Sequence, residues 1–338
     1  MIEVQRVLVS RPDKLGDFML AWPALALLRR VLPEVGISVL VNSATAEIAE
    51  ICPSVDSIII DYGQSGRCLM KEIRAYDIDV SISLFSDFRT AQAIFRAGIK
   101  YRLGPATKLA QIFFNDRLVQ RRSASLKPEY EYNVDLIRAF LNNYNLTVPS
   151  MPRAPYLSFS VGVVKETLAS LRSAYGIPWS SELVIVHPGS GGSAGNLAPR
   201  GYSALIDRLS RSRVLFVLVT AGPGEVGIAE TVCDEVSQHR CAVHKSESGL
   251  VEFAKVIASS KLFISGSTGP LHIAGALDIP TTAFYPRRRS STALRWRTTN
   301  TPDRRLSFSP PASAPEADMD SIDLTLAASV INKKYFND

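Results

Sequence analysis

The stretch "KLFISGSTGPLHIAGALDIPTTAFYP" (residues 261–286) decides how the chain is read. Residues 262–265 have the length and apolar character of a buried strand, and the run stops at Gly266, Ser267, Thr268 and Gly269. Pro270 then suits an early helical position, and a second apolar run follows at 281–285. Strand, tight turn, helix and strand in that order make a parallel crossover unit. Free N–H groups at such a helix start suit an anion. His272 lies in the first turn, either as a ligand contact or as a core histidine bonded to backbone.

The same rhythm runs outward in both directions. In the first half, "RVLVS" (6–10), "ISVLV" (37–41), "SIIID" (57–61) and "VSISLF" (80–85) alternate with helical spacing over 18–32 and 88–97. Three prolines in "PSMPRAPYLSFS" (149–160) interrupt the pattern as a linker would. It restarts with a helix over 164–175 and strands at 183–187, 214–220, 241–244, 262–265 and 281–285. The expected fold is α/β: two Rossmann-like, doubly wound domains, 1–155 and 156–320, facing across a ligand cleft at the carboxyl ends of their strands. A helix over 321–338 follows "SPPASAPEAD" and is expected to pack back onto the first domain.

Composition fits a packed globular protein, with 46% hydrophobic and 21% charged residues. The net charge of +6 favours an anionic partner, and "YPRRRSSTALRWRTTNTPDRR" (285–305) concentrates it, either as a solvated loop or as a phosphate contact. That cluster is not interleaved with a nucleic-acid reader motif, so no nucleic-acid partner is expected. The four cysteines have no metal-ligand spacing and suggest no disulfide framework, which points to a reducing compartment. With neither a signal-like start nor an apolar run long enough to cross a bilayer, the chain is read as cytoplasmic, with peripheral contact at the inner membrane face open to it.

Three more turns carry candidate chemistry. In "RPDKLGDFMLAWPAL" (11–25), Gly16 permits a tight turn that sets Asp17 near a helix start, as a general base or as an N-cap. In "VIVHPGSGGSAGNLAPRGYSAL" (184–205), the backbone of a glycine-rich loop with Ser190, Gly191 and Gly192 can meet a diphosphate, although the Walker ending is missing. In "VTAGPGEVGIAE" (219–230), Glu225 can accept from ribose hydroxyls or complement a helix dipole.

Taken together, these turns resemble the bacterial lipopolysaccharide heptosyltransferases, glycosyltransferase family 9. "KLGDFMLAWPALALLRRVLP" looks like the family's Gly-Asp segment with its Pro-Ala-Leu helix, and "VIVHPGSGG" like its His-Pro-Gly loop. "TAGPGE" and "STGPLHIAGALDIPTTAFY" look like its Glu turn and its Asp-Thr-Gly-Pro-x-His helix start. The resemblance implies a GT-B fold and an inverting transferase needing neither metal nor cofactor, with Asp17 as base on the acceptor hydroxyl. It implies a donor site at Ser190, Gly191, Gly192, Asn196, Glu225, Ser267, Thr268, Gly269 and His272. Acceptor or phosphate contacts fall to Lys14, Arg200, Arg287 and Arg288. Two departures stand out: Ser267 replaces a carboxylate that contacts the donor sugar in many members, and "SAGNLAPR" lacks the family's basic residue, leaving Arg200 nearest.

The expected activity is transfer of a sugar, heptose from ADP-heptose, to an anionic glycolipid acceptor in lipopolysaccharide or related surface-glycan synthesis. The alternatives are a GT-B nucleotide-sugar epimerase or hydrolase, or a degenerate nucleotide-sugar-binding protein.

Overall fold

A computed structural model describes residues 4–191, 195–211, 214–237 and 240–336. The chain divides into two units, Met1–Tyr156 and Leu157–Asp338. The first contains β1 (Arg6–Ser10), α1 (Leu15–Met19), α2 (Trp22–Val31), β2 (Gly36–Asn42), α3 (Ala46–Glu50), β3 (Ser57–Asp61), α4 (Gly66–Arg74), β4 (Val80–Ser83), α5 (Phe88–Arg96), β5 (Tyr101–Pro105), β6 (Asp116–Leu118) and α6 (Glu129–Asn143). Its strands are all parallel, in the order β3-β2-β1-β4-β5-β6. Helices cover both faces of such a sheet, which is why β1 after Arg6 and the whole of β4 are buried on both faces.

The helix expected over 18–32 is two helices. α1 ends at Met19 and α2 begins at Trp22, with Pro23 in its first turn, where the missing N–H forfeits no helical bond. The break frees the short segment carrying Asp17 from the long helix behind it.

The second unit contains α7 (Val161–Tyr175), β7 (Glu182–His187), α8 (Pro199–Ser210), β8 (Leu215–Ala221), α9 (Val226–Asp234), β9 (Cys241–Lys245), α10 (Leu250–Ala258), β10 (Leu262–Gly266), α11 (Gly269–Ala276), β11 (Thr281–Phe284), β12 (Arg305–Phe308) and α12 (Leu324–Tyr335). The sheet order is β12-β11-β10-β7-β8-β9, again all parallel. Counted from the first strand of each unit, both sheets have the Rossmann order 3-2-1-4-5-6. Each therefore reverses direction once, between β1 and β4 and between β7 and β10, and ligands of such sheets bind at the carboxyl ends beside that reversal.

Three further features differ from the sequence expectation. The end of the basic run 285–305 opens a strand, because Leu306 and Phe308 pack on the core and Phe308 stacks on Phe284 at 5.7 Å. Cys233, near the end of α9, forms a disulfide with Cys241 at the start of β9, their Cα atoms 5.7 Å apart, while Cys52 and Cys68 are free thiols. The last helix, expected on the first domain, instead places Ala328, Ile331 and Tyr335 in the second unit's own core with Leu205 and Leu209 of α8. Replacing the fully buried Ile331 by alanine should cost about 2–5 kcal/mol and lower the thermal unfolding midpoint of the second unit, followed by calorimetry.

Candidate functional site

In the first unit the residues that follow β1 gather at the reversal point of the sheet. Arg11, the first residue after β1, is 2% exposed and turns its guanidinium across the end of β4, where Nη1 donates to the Leu84 carbonyl at 3.1 Å. Nη1 also donates to Asn133 Oδ1 at 3.1 Å, and Glu129 Oε1 lies 3.4 Å from Nη2. Both partners project from α6. Asn133 is itself fixed by donating to the Leu20 carbonyl at 2.9 Å, and Glu129 also pairs with Arg122.

The remaining edge of the guanidinium meets two aspartates. Nη2 donates to Asp17 Oδ1 at 2.6 Å, and Nε lies 2.8 Å from Asp13 Oδ1 without hydrogen-bond alignment. Burial opposes the Arg11 charge, but the carboxylates around it more than compensate and raise its pKa. Asp13 is pushed up to about 7, because burial and the neighbouring Asp17 outweigh the pull of Arg11. Burial lowers Arg122 to about 10. Asp17 is not an N-cap: Lys14 holds that position in α1, exposed and without a side-chain cap, and Asp17 sits in the first turn. Its side chain is 16% exposed, and Arg11 is its one side-chain partner among the described residues.

In the second unit four loops meet at the carboxyl ends of β7, β8, β10 and β11. His187 closes β7, 4% exposed, with Nδ1 3.0 Å from Thr220 Oγ1 and Nε2 3.8 Å from Glu225 Oε2. Burial depresses its pKa to about 4 despite Glu225, so the ring is neutral. Glu225 binds two glycine loops together, accepting from Gly191 N–H at 2.9 Å and Gly222 N–H at 3.3 Å. A Cβ on Gly189 would stand 2.0 Å from Glu225 Oε2, so glycine is required for that close approach. Ser190 and Gly191 lie in this loop, and Gly192 falls outside the described residues.

The opening stretch forms as expected. Thr268 caps α11, its hydroxyl accepting from Leu271 N–H at 3.4 Å, with Gly269 and Pro270 as the first helical residues and Ser267 half-buried just before. His272 is 3% exposed, and its Nδ1 has no hydrogen-bond partner among the described residues. Neither backbone bonding of that nitrogen nor a core network accounts for it. Burial holds the ring neutral, at about 4. A buried unpaired nitrogen beside a helix start is a feature that ligand contact would satisfy.

The other anticipated contacts scatter. Asn196 donates to the Pro188 carbonyl at 2.6 Å and accepts from Leu197 N–H at 3.0 Å and from the Tyr202 hydroxyl, so its amide braces the loop. Arg200 pairs with Asp320 at 2.8 Å. Arg287 donates to the Ala314 carbonyl at 2.6 Å, and Arg288 is exposed. Of the same cluster, Arg297 and Arg305 line a hollow of about 400 Å³ with Tyr285 and Thr298. Sequence reasoning missed Arg11, Glu129, Asn133, His187 and Thr220. The one signal available was polar residues ending the β1, β7 and β8 runs. Among the described residues no group of three His, Cys, Asp or Glu side chains is arranged to hold a metal ion, and no helix is long and apolar enough to cross a membrane.

Comparison with known proteins places this geometry. The profile of Glycosyltransferase family 9 (heptosyltransferase) matches residues 67–316. A Haemophilus influenzae protein named "Putative glycosyltransferase" is 44% identical over 331 residues, covering 96% of this chain and 95% of its own. Among solved structures, Escherichia coli ADP-heptose lipopolysaccharide heptosyltransferase II superposes with a TM-score of 0.81 at 18% identity over 98% of both chains. The Escherichia coli heptosyltransferase WaaC, solved with ADP, gives 0.75 at 16% identity over 97% of this chain and 99% of its own. Those two likenesses establish the GT-B type of α/β fold; the profile and the Haemophilus relative establish kinship, and the chain belongs to glycosyltransferase family 9.

Proposed function

We propose that the protein is an inverting, metal-independent glycosyltransferase that moves heptose from ADP-heptose to an anionic glycolipid acceptor in lipopolysaccharide or related surface-glycan synthesis. The observation that carries the reading is Asp17. It is a carboxylate at the reversal point of the first sheet, with one oxygen tied to a buried arginine and its side chain partly open to solvent. The acceptor hydroxyl gives its proton to Asp17 as its oxygen attacks the anomeric carbon, and the C–O bond to the diphosphate breaks on the opposite face. One base and one displacement give inversion.

The second unit supplies the donor side of this reading. Departure of the diphosphate builds negative charge, which the N–H groups at the start of α11, the Thr268 hydroxyl and His272 meet. Glu225 takes the ribose hydroxyls with the lone pairs left after Gly191 and Gly222. WaaC has been solved with ADP and with ADP-2-deoxy-2-fluoro heptose, which favours an ADP-linked donor here. Metal independence rests on the family resemblance and on these N–H donors. The net charge of +6 suits an anionic acceptor at the cytoplasmic face of the inner membrane, with Lys14 and Arg288 exposed to meet it. Ser267 bears on sugar choice, since a hydroxyl cannot supply the charge many relatives place there.

A panel of ADP-, GDP- and UDP-sugars, each with and without heptose-free lipopolysaccharide core as acceptor, tests the reading. Nucleotide release that needs no acceptor would replace transfer with hydrolysis, and an epimerised nucleotide sugar formed without acceptor and without net nucleotide release would replace it with epimerisation. With the working donor, Asp17→Asn should lower kcat about 10²–10⁴-fold and leave ADP affinity by calorimetry unchanged. Gly189→Ala should do the reverse in kind. Its Cβ forces Glu225 from its two N–H donors and weakens ADP binding about tenfold or more, read in the same titration.

A further inference from the structure

Parallel neighbours in a wound sheet are ordinarily joined by a helix, but β11 and β12 are joined by residues 285–304, which form only two short turns, Arg289–Ser291 and Pro302–Arg304. An irregular crossover of that length is uncommon unless it builds a site. This one is firmly held. Asn300, 2% exposed, donates to the Ile279 and Arg304 carbonyls at 3.0 and 2.7 Å and to Thr281 Oγ1 at 3.0 Å, while its own side-chain oxygen accepts from the Thr298 hydroxyl at 2.7 Å. The Tyr285 hydroxyl donates to the Trp296 carbonyl at 2.9 Å. Crossover and β12 together line the hollow of about 400 Å³.

The arginines of this segment fall into two groups. Arg287 donates to the Ala314 carbonyl, Arg304 pairs with Asp278 at 3.7 Å, and Arg295 lies over the Trp296 ring at 5.5 Å. Arg297 and Arg305, which reach the hollow, have no such carboxylate or ring. Arg297 makes no hydrogen bond or ion pair among the described residues. Arg305 donates only through Nη1, to the Thr298 and Asn300 carbonyls at 2.9 and 3.2 Å, which leaves its Nε and Nη2 edge unused. Burial raises the Tyr285 pKa while the Arg305 and Arg297 charges pull against it, so both guanidiniums act on one hydroxyl. Among the described residues no carboxylate lines the hollow. Like charges gathered without a counter-charge work against the fold, and an anionic ligand offsets that cost.

We propose that this hollow is a second anion site, separate from the start of α11, and that its ligand is a phosphomonoester carried on a sugar. The unused edge of Arg305 and the free guanidinium of Arg297 match the oxygens of a phosphate. The rest of the lining selects the body that bears it. Tyr285 and Thr298 have spent their hydroxyl protons on protein acceptors, so their oxygens can only accept, which suits a ligand with hydroxyls of its own. Ser307 is exposed and adds a hydroxyl, and Leu294 adds an apolar face. A volume at the small end of ligand sites leaves room for one sugar beside the phosphate, whereas a bare ion would leave most of it unfilled. The phosphate belongs either to a free sugar phosphate or to a phosphorylated residue of a longer glycan.

Calorimetric titration of the whole protein with glucose 6-phosphate, inorganic phosphate and glucose tests the site, and it needs neither donor nor acceptor, so it stands apart from the transfer assay. Glucose 6-phosphate should bind more tightly than inorganic phosphate, with no heat from glucose. Arg305 also supports two carbonyls, so Arg297 is the residue to change. Arg297→Met keeps the stem and removes the charge, and should weaken glucose 6-phosphate about tenfold or more. Arg289→Met, at an exposed arginine of the same stretch, and Thr268→Ala, at the cap of α11, should leave it unchanged. Failure of glucose 6-phosphate to bind, equal binding to wild type and Arg297→Met, or loss in Thr268→Ala instead would each overturn the proposal. Maltotriose 6-phosphate distinguishes the source: tighter binding than glucose 6-phosphate assigns the site to a glycan, and weaker binding to a free sugar phosphate.

Stability gives a second test without any ligand. In phosphate-free buffer at low salt, Arg297→Met should unfold at the same temperature as wild type or higher, because it removes a repulsion and no protein contact. A midpoint lower by about 3 °C or more would make Arg297 a structural residue and overturn the assignment.

Discussion

A guanidinium with almost no access to water needs its charge balanced and its donors met, and Arg11 shows how much of the first unit is arranged to do so, with Nε alone in contact with a carboxylate but not aligned for a hydrogen bond. The end of β4 gives it a carbonyl, α6 gives it an amide oxygen and a carboxylate, and the turn after β1 gives it two aspartates. One side chain thereby joins the two central strands, the covering helix and the segment that carries Asp13 and Asp17. Asp17 is held by a rigid partner rather than by its short helix, and the break between α1 and α2 leaves its turn free to follow Arg11.

The second unit solves a parallel problem with a carboxylate in place of a guanidinium. Glu225 draws in N–H groups from two glycine turns, and Gly189 leaves the space that lets it do so. His187, neutral because it is buried, backs the arrangement from the end of β7. Next to it, Thr268 caps α11, and His272 in the same helix has a buried Nδ1 with no hydrogen-bond partner among the described residues. Each unit gathers its candidate polar groups at the carboxyl ends of its strands, on the turns after the strands and not on the strands themselves.

Much of this was legible in the residues. The alternation of apolar runs with helical spacing gives the two wound sheets, and the Gly16-Asp17 and Thr268-Gly269-Pro270 turns announce themselves by small residues next to a functional group. Arg11 did not, since a lone arginine after a strand has no local pattern, and its partners Glu129 and Asn133 lie 118 and 122 positions further on. Cys233 and Cys241 were hidden differently: their eight-residue spacing means nothing until α9 and β9 bring them side by side. Arginine density gave no hint of β12, which opens on Arg305, the last residue of the basic run, because Leu306 and Phe308 beyond it pack on the core. Asn196, expected as a donor contact, uses its amide to hold the loop to Pro188 and Tyr202.

The central proposal is acceptor-dependent, inverting transfer of a sugar from a nucleotide-linked donor, with Asp17 as the base. Product analysis after incubation with ADP-heptose and heptose-free lipopolysaccharide core tests it most directly, with mass spectrometry for the new bond and NMR for the anomeric configuration. The account predicts one heptose added to the acceptor, ADP released in equal amount, and inverted configuration at the anomeric carbon. Retained configuration, or ADP released at the same rate when the acceptor is omitted, would contradict it.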